Sequence, residues 1–115
     1  MTGFDFGDVI LVPFPFTDQS TTKRRPAVVV SSPAYHRARP DLIILAITSK
    51  SRPEIGPLDD APIERWHVAG LIKPSVLKPI LATIEQGLVL RILGRLAFDD
   101  RTTLHRMLGT MLGQP

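Results

Sequence analysis

Cysteine is absent from this chain of 115 residues, and so is any long apolar run. Without cysteine the protein has no disulfide framework, no thiolate nucleophile and no thiolate metal ligand. No segment approaches the roughly 18 apolar residues that a membrane-spanning helix requires, and the N-terminus lacks the charged and apolar blocks of a signal peptide. His36, His67 and His105 are too scattered to form a metal-ligand motif. We therefore expect a cytoplasmic protein that has no metal site and does not enter a membrane.

Common catalytic motifs are missing as well. The sequence has no glycine-rich phosphate loop, no convincing Ser/His/Asp order and no paired-carboxylate site. It also lacks internal repeats, low-complexity tracts and linkers. Hydrophobic residues make up 43% of the chain, which is enough for one core without disulfides or metals. These features predict a single domain over residues 1–115.

Basic residues are concentrated in one part of the chain. The net charge is only +3, but residues 23–52 contain seven Lys or Arg and one acidic residue, a local balance of +6. The remainder has a balance of −3. Such segregation favours a polyanionic partner such as nucleic acid, because contacts with phosphates supply most of the non-specific affinity. The alternative is that several of these cations point away from one another.

Short apolar segments bounded by turn formers predict β-strands at residues 6–13, 27–32, 41–47 and 80–85, and a further short one near Ala61. The first and third are apolar on both faces, so we expect both faces to be covered and the third strand to be central. Residues 33–40 form a polar connection, and residues 64–70 a helical turn closed by Gly70. Within that turn Trp66 fits a core position or a base-stacking platform. Residues 87–96 fit a strand or a helix.

The end of the chain predicts a helix, since residues 80–114 contain no proline. The i, i+3, i+4, i+7, i+8 spacing of a helix with one apolar face is followed by Leu104, Met107, Leu108, Met111 and Leu112. Asp99 or Asp100 can cap its start and Gly113 its end. Its two methionines fit core packing or a groove for a partner. Short strands without crossover helices, followed by this helix, predict a mainly β fold, a partly closed antiparallel barrel with a C-terminal helix.

Arg25 lies where the basic segment meets the second strand. Pro26 and the β-branched residues 28–30 follow it and favour a rigid element. A cation fixed in this way is a better catalytic or anion-binding group than one on a mobile loop. The alternative is a solvated basic turn that leads into a strand.

The end of the third strand carries a second polar group of residues. Thr48 and Ser49 provide hydroxyls beside two cations, Lys50 and Arg52. Together these side chains can form a cradle for a phosphate. Serine and threonine are also ordinary at strand ends, so the pattern by itself has low specificity.

Taken in order, three motifs resemble the MazF/PemK toxins of toxin–antitoxin systems. They are Gly-Asp-Val-Ile-Leu-Val at residues 7–12, Arg-Pro-Ala-Val-Val-Val-Ser at 25–31 and Ile-Thr-Ser at 47–49. Further matches at 70–76, 83–85 and 94–96 extend the likeness over nearly the whole chain. The fold of this family is a small SH3-like barrel with a C-terminal helix, which agrees with the strands and helix predicted above.

The resemblance implies a dimeric, metal-independent endoribonuclease without a cofactor that cuts single-stranded RNA such as mRNA. In the family reaction the ribose 2′-hydroxyl attacks the adjoining phosphate and leaves 2′,3′-cyclic phosphate and 5′-hydroxyl ends. A cognate antitoxin blocks the toxin, and the basic segment leads us to expect an acidic one. The alternative on the same fold is a CcdB-like toxin or binding module that acts through protein or DNA contacts without cutting RNA.

Carried over residue by residue, the catalytic pair of the family corresponds to Arg25 and Thr48. Some members also use an arginine and an aspartate in the segment that corresponds to residues 71–75. Here that segment reads Leu-Ile-Lys-Pro-Ser, so only Lys73 preserves a cation and the proton-transfer partner is open. The residues predicted to bind RNA are Lys23, Arg24, Ser49, Lys50, Arg52, Lys73 and Ser75.

Overall fold

A computed structural model describes residues 3–13, 24–50 and 60–113. Within these ranges the elements are β1 Asp8–Pro13, β2 Arg24–Val29, α1 Pro33–Ala38, β3 Asp41–Ser49, β4 Ala61–Pro62, β5 Ser75–Glu85, β6 Arg91–Arg95 and α2 Phe98–Met111. A 3₁₀ turn, Gln86–Leu88, separates β5 from β6. The strands form one antiparallel sheet in the order β4-β5-β3-β2-β1-β6. The prediction of a mainly β fold with a C-terminal helix is confirmed.

The sheet is covered on both faces where the sequence predicts it. In β3, Leu45 and Ile47 belong to one buried hydrophobic cluster, while Ile44 and Ala46 belong to the other. Alternation of this kind follows from the two-residue period of a strand. Because β3 also lies between β2 and β5, the prediction of a central third strand is confirmed.

The first of these clusters joins the sheet to α2. Leu104 and Met107 of α2 are buried in it, and Met111 packs against it. Trp66 is half-buried and packs against the same cluster. Both methionines and the tryptophan therefore contribute to the core. None of the described helices is long and apolar enough to cross a membrane.

The sheet is not strictly closed, and the turn before Leu71 packs against its β6 end. Gly70 has a φ of 84°, in the left-handed region that glycine adopts without steric cost. A Cβ at Gly70 would collide with the carbonyl oxygen of Leu93, and one at Gly94 would lie 2.6 Å from the carbonyl oxygen of Ala69. Gly70 thus ends the turn as predicted, and the two glycines let its backbone lie directly on β6.

Several element boundaries differ from the prediction, and β2 covers Arg24–Val29 instead of residues 27–32. The polar connection contains the short helix α1, which Ser32 caps by accepting a hydrogen bond from the Tyr35 N–H at 3.2 Å. β5 begins at Ser75, because Pro79 falls where the β3–β5 register shifts and so does not end the strand. Residues 87–96, for which the sequence left strand and helix open, contain the end of the 3₁₀ turn and the strand β6.

The start of α2 is also displaced from its expected position. Ala97 is the N-cap and provides no side-chain hydrogen bond, so Asp99 and Asp100 are first-turn residues rather than caps. Carboxylates are favourable there as well, because the N-terminal end of a helix carries positive partial charge. Asp100 is buried and accepts backbone N–H bonds from Glu64 at 2.9 Å and Arg65 at 3.0 Å. It therefore ties the helix to the turn that precedes Leu71.

Candidate functional site

Arg25 is part of β2 rather than of the connection before it. The ladder between β1 and β2 pairs Arg24 with Pro13 and Arg25 with Val12. Arg24 is exposed and Arg25 is half-buried. Pairing to a neighbouring strand fixes the backbone of Arg25, as the position before Pro26 predicts.

Thr48 lies one residue before the end of β3. The β2–β3 ladder ends at the pair Ala27 and Ala46. Arg25 and Thr48 each lie two residues beyond this last pair, on the same side of it, because the two strands are antiparallel. On its other side, β3 pairs Ser49 with Ser75 of β5. Three adjacent strands thus bring side chains from distant parts of the sequence to one end of the sheet.

These side chains line one cavity of about 230 Å³. Its described lining consists of Arg24, Arg25, Pro26, Ile47, Thr48, Ser49, Leu71, Ile72, Lys73 and Ser75. Six of the nine predicted site residues are among them: Arg24, Arg25, Thr48, Ser49, Lys73 and Ser75. The structure therefore assembles cations and hydroxyls around one space large enough for a phosphate group.

The cavity is electropositive. Within residues 3–13, 24–50 and 60–113, the side chains of Arg24, Arg25 and Lys73 form no ion pair and no hydrogen bond. The described lining residues include no aspartate or glutamate. An anionic ligand would therefore meet cations that no protein carboxylate neutralises in this part of the chain.

Lys50 is the one predicted residue that the structure describes outside the cavity lining. Lys50 Nζ lies 2.9 Å from Oδ2 of Asp60, and Lys78 Nζ lies 3.5 Å from Oδ1 of the same carboxylate. The ammonium group of Lys50 thus contacts the carboxylate of Asp60, whose side chain is 8% exposed. Lys23 and Arg52 lie outside the described residues.

Residues 71–75 form one wall of the cavity, and both ends of this segment are anchored. The Leu71 side chain is buried in the core, and its N–H donates to the Trp66 carbonyl at 3.1 Å. At the other end the Pro74 carbonyl accepts from the Lys50 N–H at 3.0 Å. The Ser75 hydroxyl donates to the Lys73 carbonyl at 2.9 Å.

Sequence reasoning missed the apolar part of this lining. Ile47 and Leu71 are buried and Pro26 is half-buried, so in the sequence they resemble ordinary core residues. Ile72 is exposed, and its only sequence signal is an isoleucine directly before Lys73 and Pro74. Among the residues that the structure describes, no three His, Asp or Glu side chains are grouped to hold a metal ion.

Comparison with solved structures identifies the fold. An endoribonuclease from a mycobacterial species, in complex with its cognate antitoxin, has a TM-score of 0.76 at 18% identity, over 99% of this chain and 98% of that chain. The toxin MazF-mt6 of Mycobacterium tuberculosis has a TM-score of 0.71 at 19% identity, over 90% and 94%. MazE-MazF from Deinococcus radiodurans has a TM-score of 0.73 at 20% identity, over 100% of both chains. At sequence identities this low, the structural similarity shows a shared fold and no more.

Sequence comparison identifies the family. Among curated proteins no match was found. The family model described as PemK-like, MazF-like toxin of type II toxin-antitoxin system matches residues 5–112, nearly the whole chain. The motifs at residues 7–12, 25–31 and 47–49 all lie within this match. The chain therefore belongs to the PemK-like, MazF-like toxins of type II toxin–antitoxin systems.

Proposed function

We propose that this chain is the toxin of a toxin–antitoxin pair and acts in the cytoplasm as a sequence-specific endoribonuclease on single-stranded RNA such as mRNA. One observation carries the proposal: neighbouring strands bring Arg25 and Thr48 to a cavity whose described cations have no carboxylate partner. A phosphodiester suits this cavity, because a guanidinium fork matches the oxygens of a phosphate. Membership of the toxin family supports the same assignment.

The proposed reaction is an internal transfer at phosphorus. The ribose 2′-oxygen forms a bond to the adjoining phosphorus and gives up its proton, while the bond from phosphorus to the 5′-oxygen breaks and that oxygen takes up a proton. The products are a 2′,3′-cyclic phosphate and a 5′-hydroxyl. Because the RNA supplies the nucleophile, the protein has only to orient the 2′-oxygen and stabilise the charge that builds on the phosphoryl oxygens.

Each of these tasks has a candidate side chain. Arg25 stabilises the phosphoryl charge, since its planar guanidinium can donate two parallel hydrogen bonds to phosphate oxygens and its backbone is fixed in β2. The Thr48 hydroxyl orients the reacting group from the neighbouring strand. The described lining residues include no carboxylate or imidazole, so we assign proton transfer to Lys73 or to water.

We further propose that the active toxin is a homodimer with an acidic antitoxin as its partner. The described cavity of one copy, about 230 Å³, is too small to hold several nucleotides. A disordered acidic segment would bind faster to the cationic lining through complementary charge and would block the RNA. The similar mycobacterial endoribonuclease was solved in complex with its antitoxin.

Incubation of the protein with a long unstructured RNA in EDTA tests the proposed function. We expect fragments with 2′,3′-cyclic phosphate and 5′-hydroxyl ends, and mapping the cuts would give the cleavage sequence. RNA that stays intact over many sequences would contradict the proposal and favour the CcdB-like binding module. EDTA matters because metal-dependent contaminating nucleases would otherwise produce cuts of their own.

A further inference from the structure

Ile72 is the most exposed large hydrophobic residue in the part of the chain that the structure describes, with a relative exposure of 88%. Single exposed apolar residues are common on protein surfaces and need no explanation by themselves. Ile72 differs because it lines the cavity that holds Arg25, Thr48 and Lys73. Its exposure is therefore a property of the candidate site.

The backbone around Ile72 is held in place. The preceding residue, Leu71, is buried in the core, and the carbonyl of Pro74 is bound by the Lys50 N–H. Proline also restricts the backbone of the residue before it, Lys73. An apolar side chain on an anchored segment loses little entropy when a ligand covers it.

The lining thus combines two kinds of surface. Arg24, Arg25 and Lys73 offer positive charge, and Ile72 offers apolar area beside it. A bare phosphate would use only the cations. A nucleotide uses both kinds of surface, because its phosphate is anionic and the face of its base is flat and weakly polar.

We propose that Ile72 is a specificity-determining contact that packs against the face of a base next to the phosphate bound by Arg25. The inference rests on the proposed function and deepens it by assigning a base subsite to the 71–75 wall. An aliphatic side chain contacts the face of a base and not its hydrogen-bonding edge. Its contribution therefore depends on the size of the base and on where the base is placed.

Steady-state cleavage of an RNA oligonucleotide with one mapped cut site tests the contact, together with binding of its 2′-O-methylated copy. The copy lacks the free 2′-hydroxyl, so the proposed chemistry cannot cut it and its Kd reports binding alone. For Ile72→Ala we expect KM and Kd to rise about five- to tenfold, the change expected when the base buries one or two of the three carbons that the substitution removes. We expect kcat to change less than KM and the choice among cut sites in a long RNA to shift.

Matched variants separate this contact from a structural effect. Val68→Ala truncates another exposed residue of the same region, 53% exposed and outside the described cavity lining, and should leave Kd unchanged. Ile72→Leu should stay close to the unsubstituted protein. Ile72→Trp should bind at least as tightly, because an aromatic ring stacks on bases.

The outcomes distinguish the inference from the function on which it rests. Unchanged Kd, KM and cut-site choice in Ile72→Ala would overturn the inference and leave the nuclease intact, with Ile72 then free for a protein contact. Equal losses in Ile72→Ala and Val68→Ala would overturn it too. If the unsubstituted protein binds the methylated RNA but cuts nothing, the proposed chemistry fails while Kd still decides on Ile72. If it neither binds nor cuts, both are overturned.

Discussion

At the scale of the residue, Arg25 differs from other cations of the basic segment in its surroundings. The guanidinium of Arg39 lies 3.1 Å from the Asp41 carboxylate, and the hydrogen bond to Asp41 raises the pKa of Arg39. Lys50 is paired with Asp60. Arg25 is half-buried, lines the cavity and has no ion-pair partner in the described residues. The charge balance of residues 23–52 thus overstates the positive charge that is free to meet an anionic ligand.

Asp8 gives a prediction about stability and pH. Burial raises the pKa of its carboxyl above the ordinary value of 3.8, although Oδ2 accepts a hydrogen bond from the Asp5 N–H at 2.9 Å. Between the unfolded and the raised folded pKa, the native state binds more protons than the unfolded chain. The contribution of Asp8 to the free energy of unfolding therefore falls as pH rises through that window.

Urea unfolding of the unsubstituted protein and of Asp8→Asn, compared across acidic and neutral pH, checks this sign. The variant has no charge to bury, so its stability relative to the unsubstituted protein should be greater at neutral pH than in acid. A difference between the two proteins that stays constant over the whole pH range would contradict the prediction.

At the scale of the element, Asp100 connects α2 to the turn that leads to the cavity wall. Asp100 is 1% exposed, and its carboxylate accepts hydrogen bonds from two backbone N–H groups. Asp100→Asn keeps the size of the side chain but turns one acceptor into a donor that faces an N–H. We expect a loss of about 1–3 kcal/mol in the free energy of unfolding, since a buried donor is left unpaired.

Asp99→Asn is the matched control, because Asp99 is exposed and stands in the same first turn of α2. Both substitutions remove a negative charge from the helix N-terminus, worth about 0.3–1 kcal/mol. Chemical denaturation should therefore show a clearly larger loss for Asp100→Asn. Equal losses would mean that the two backbone hydrogen bonds contribute little.

Most elements could be predicted from the sequence because their signals are local. The runs of Val, Ile and Leu in β1 and β3, and the helical spacing of α2, require no knowledge of the rest of the chain. β5 was predicted too short because Pro79 breaks a strand unless a register shift accommodates it, and that shift depends on pairing with β3. The helix α1 is only six residues long, too short for a periodic pattern.

At the scale of the whole molecule, the contrast between local sequence signals and features that depend on the folded chain also applies to the site. The meeting of Arg25 and Thr48 at one cavity could be anticipated, because each lies at the end of a recognisable strand and matches a motif of the toxin family. The position of Lys50 could not, because its partner Asp60 follows ten residues later with no local pattern that links the two side chains. Ile72 was missed because nothing local distinguishes an exposed isoleucine from a core residue.

The proposed homodimer leads to a prediction about the mass in solution. Leu88, Leu90 and Ile92 are 48%, 49% and 47% exposed and lie in and just before β6, the end strand of the sheet. Because exposed apolar side chains this close in sequence mark candidate interfaces, we place the dimer contact at this edge of the sheet. We expect sedimentation at micromolar concentration to show twice the chain mass of 12.7 kDa.

A charged substitution tests whether this apolar group forms the interface. Leu90→Glu should shift the protein toward the monomer, whereas Val68→Glu, at another exposed apolar position, should not. A single species of 12.7 kDa for the unsubstituted protein would overturn the dimer. If Leu90→Glu leaves the dimer unchanged, the interface lies elsewhere on the protein.

The most direct test of the central claim is the cleavage rate at saturating RNA for Arg25→Ala, with Arg24→Ala as the neighbouring control. Loss of one preorganised donor to the developing charge typically costs about 2.7–4 kcal/mol, or roughly 100- to 1000-fold in rate. We predict a loss of this size for Arg25→Ala and only a small effect for Arg24→Ala. Arg25→Lys should restore little of the rate, because an ammonium group cannot form the bidentate contact. Small and equal losses at both positions would contradict the assignment of Arg25 as a catalytic residue.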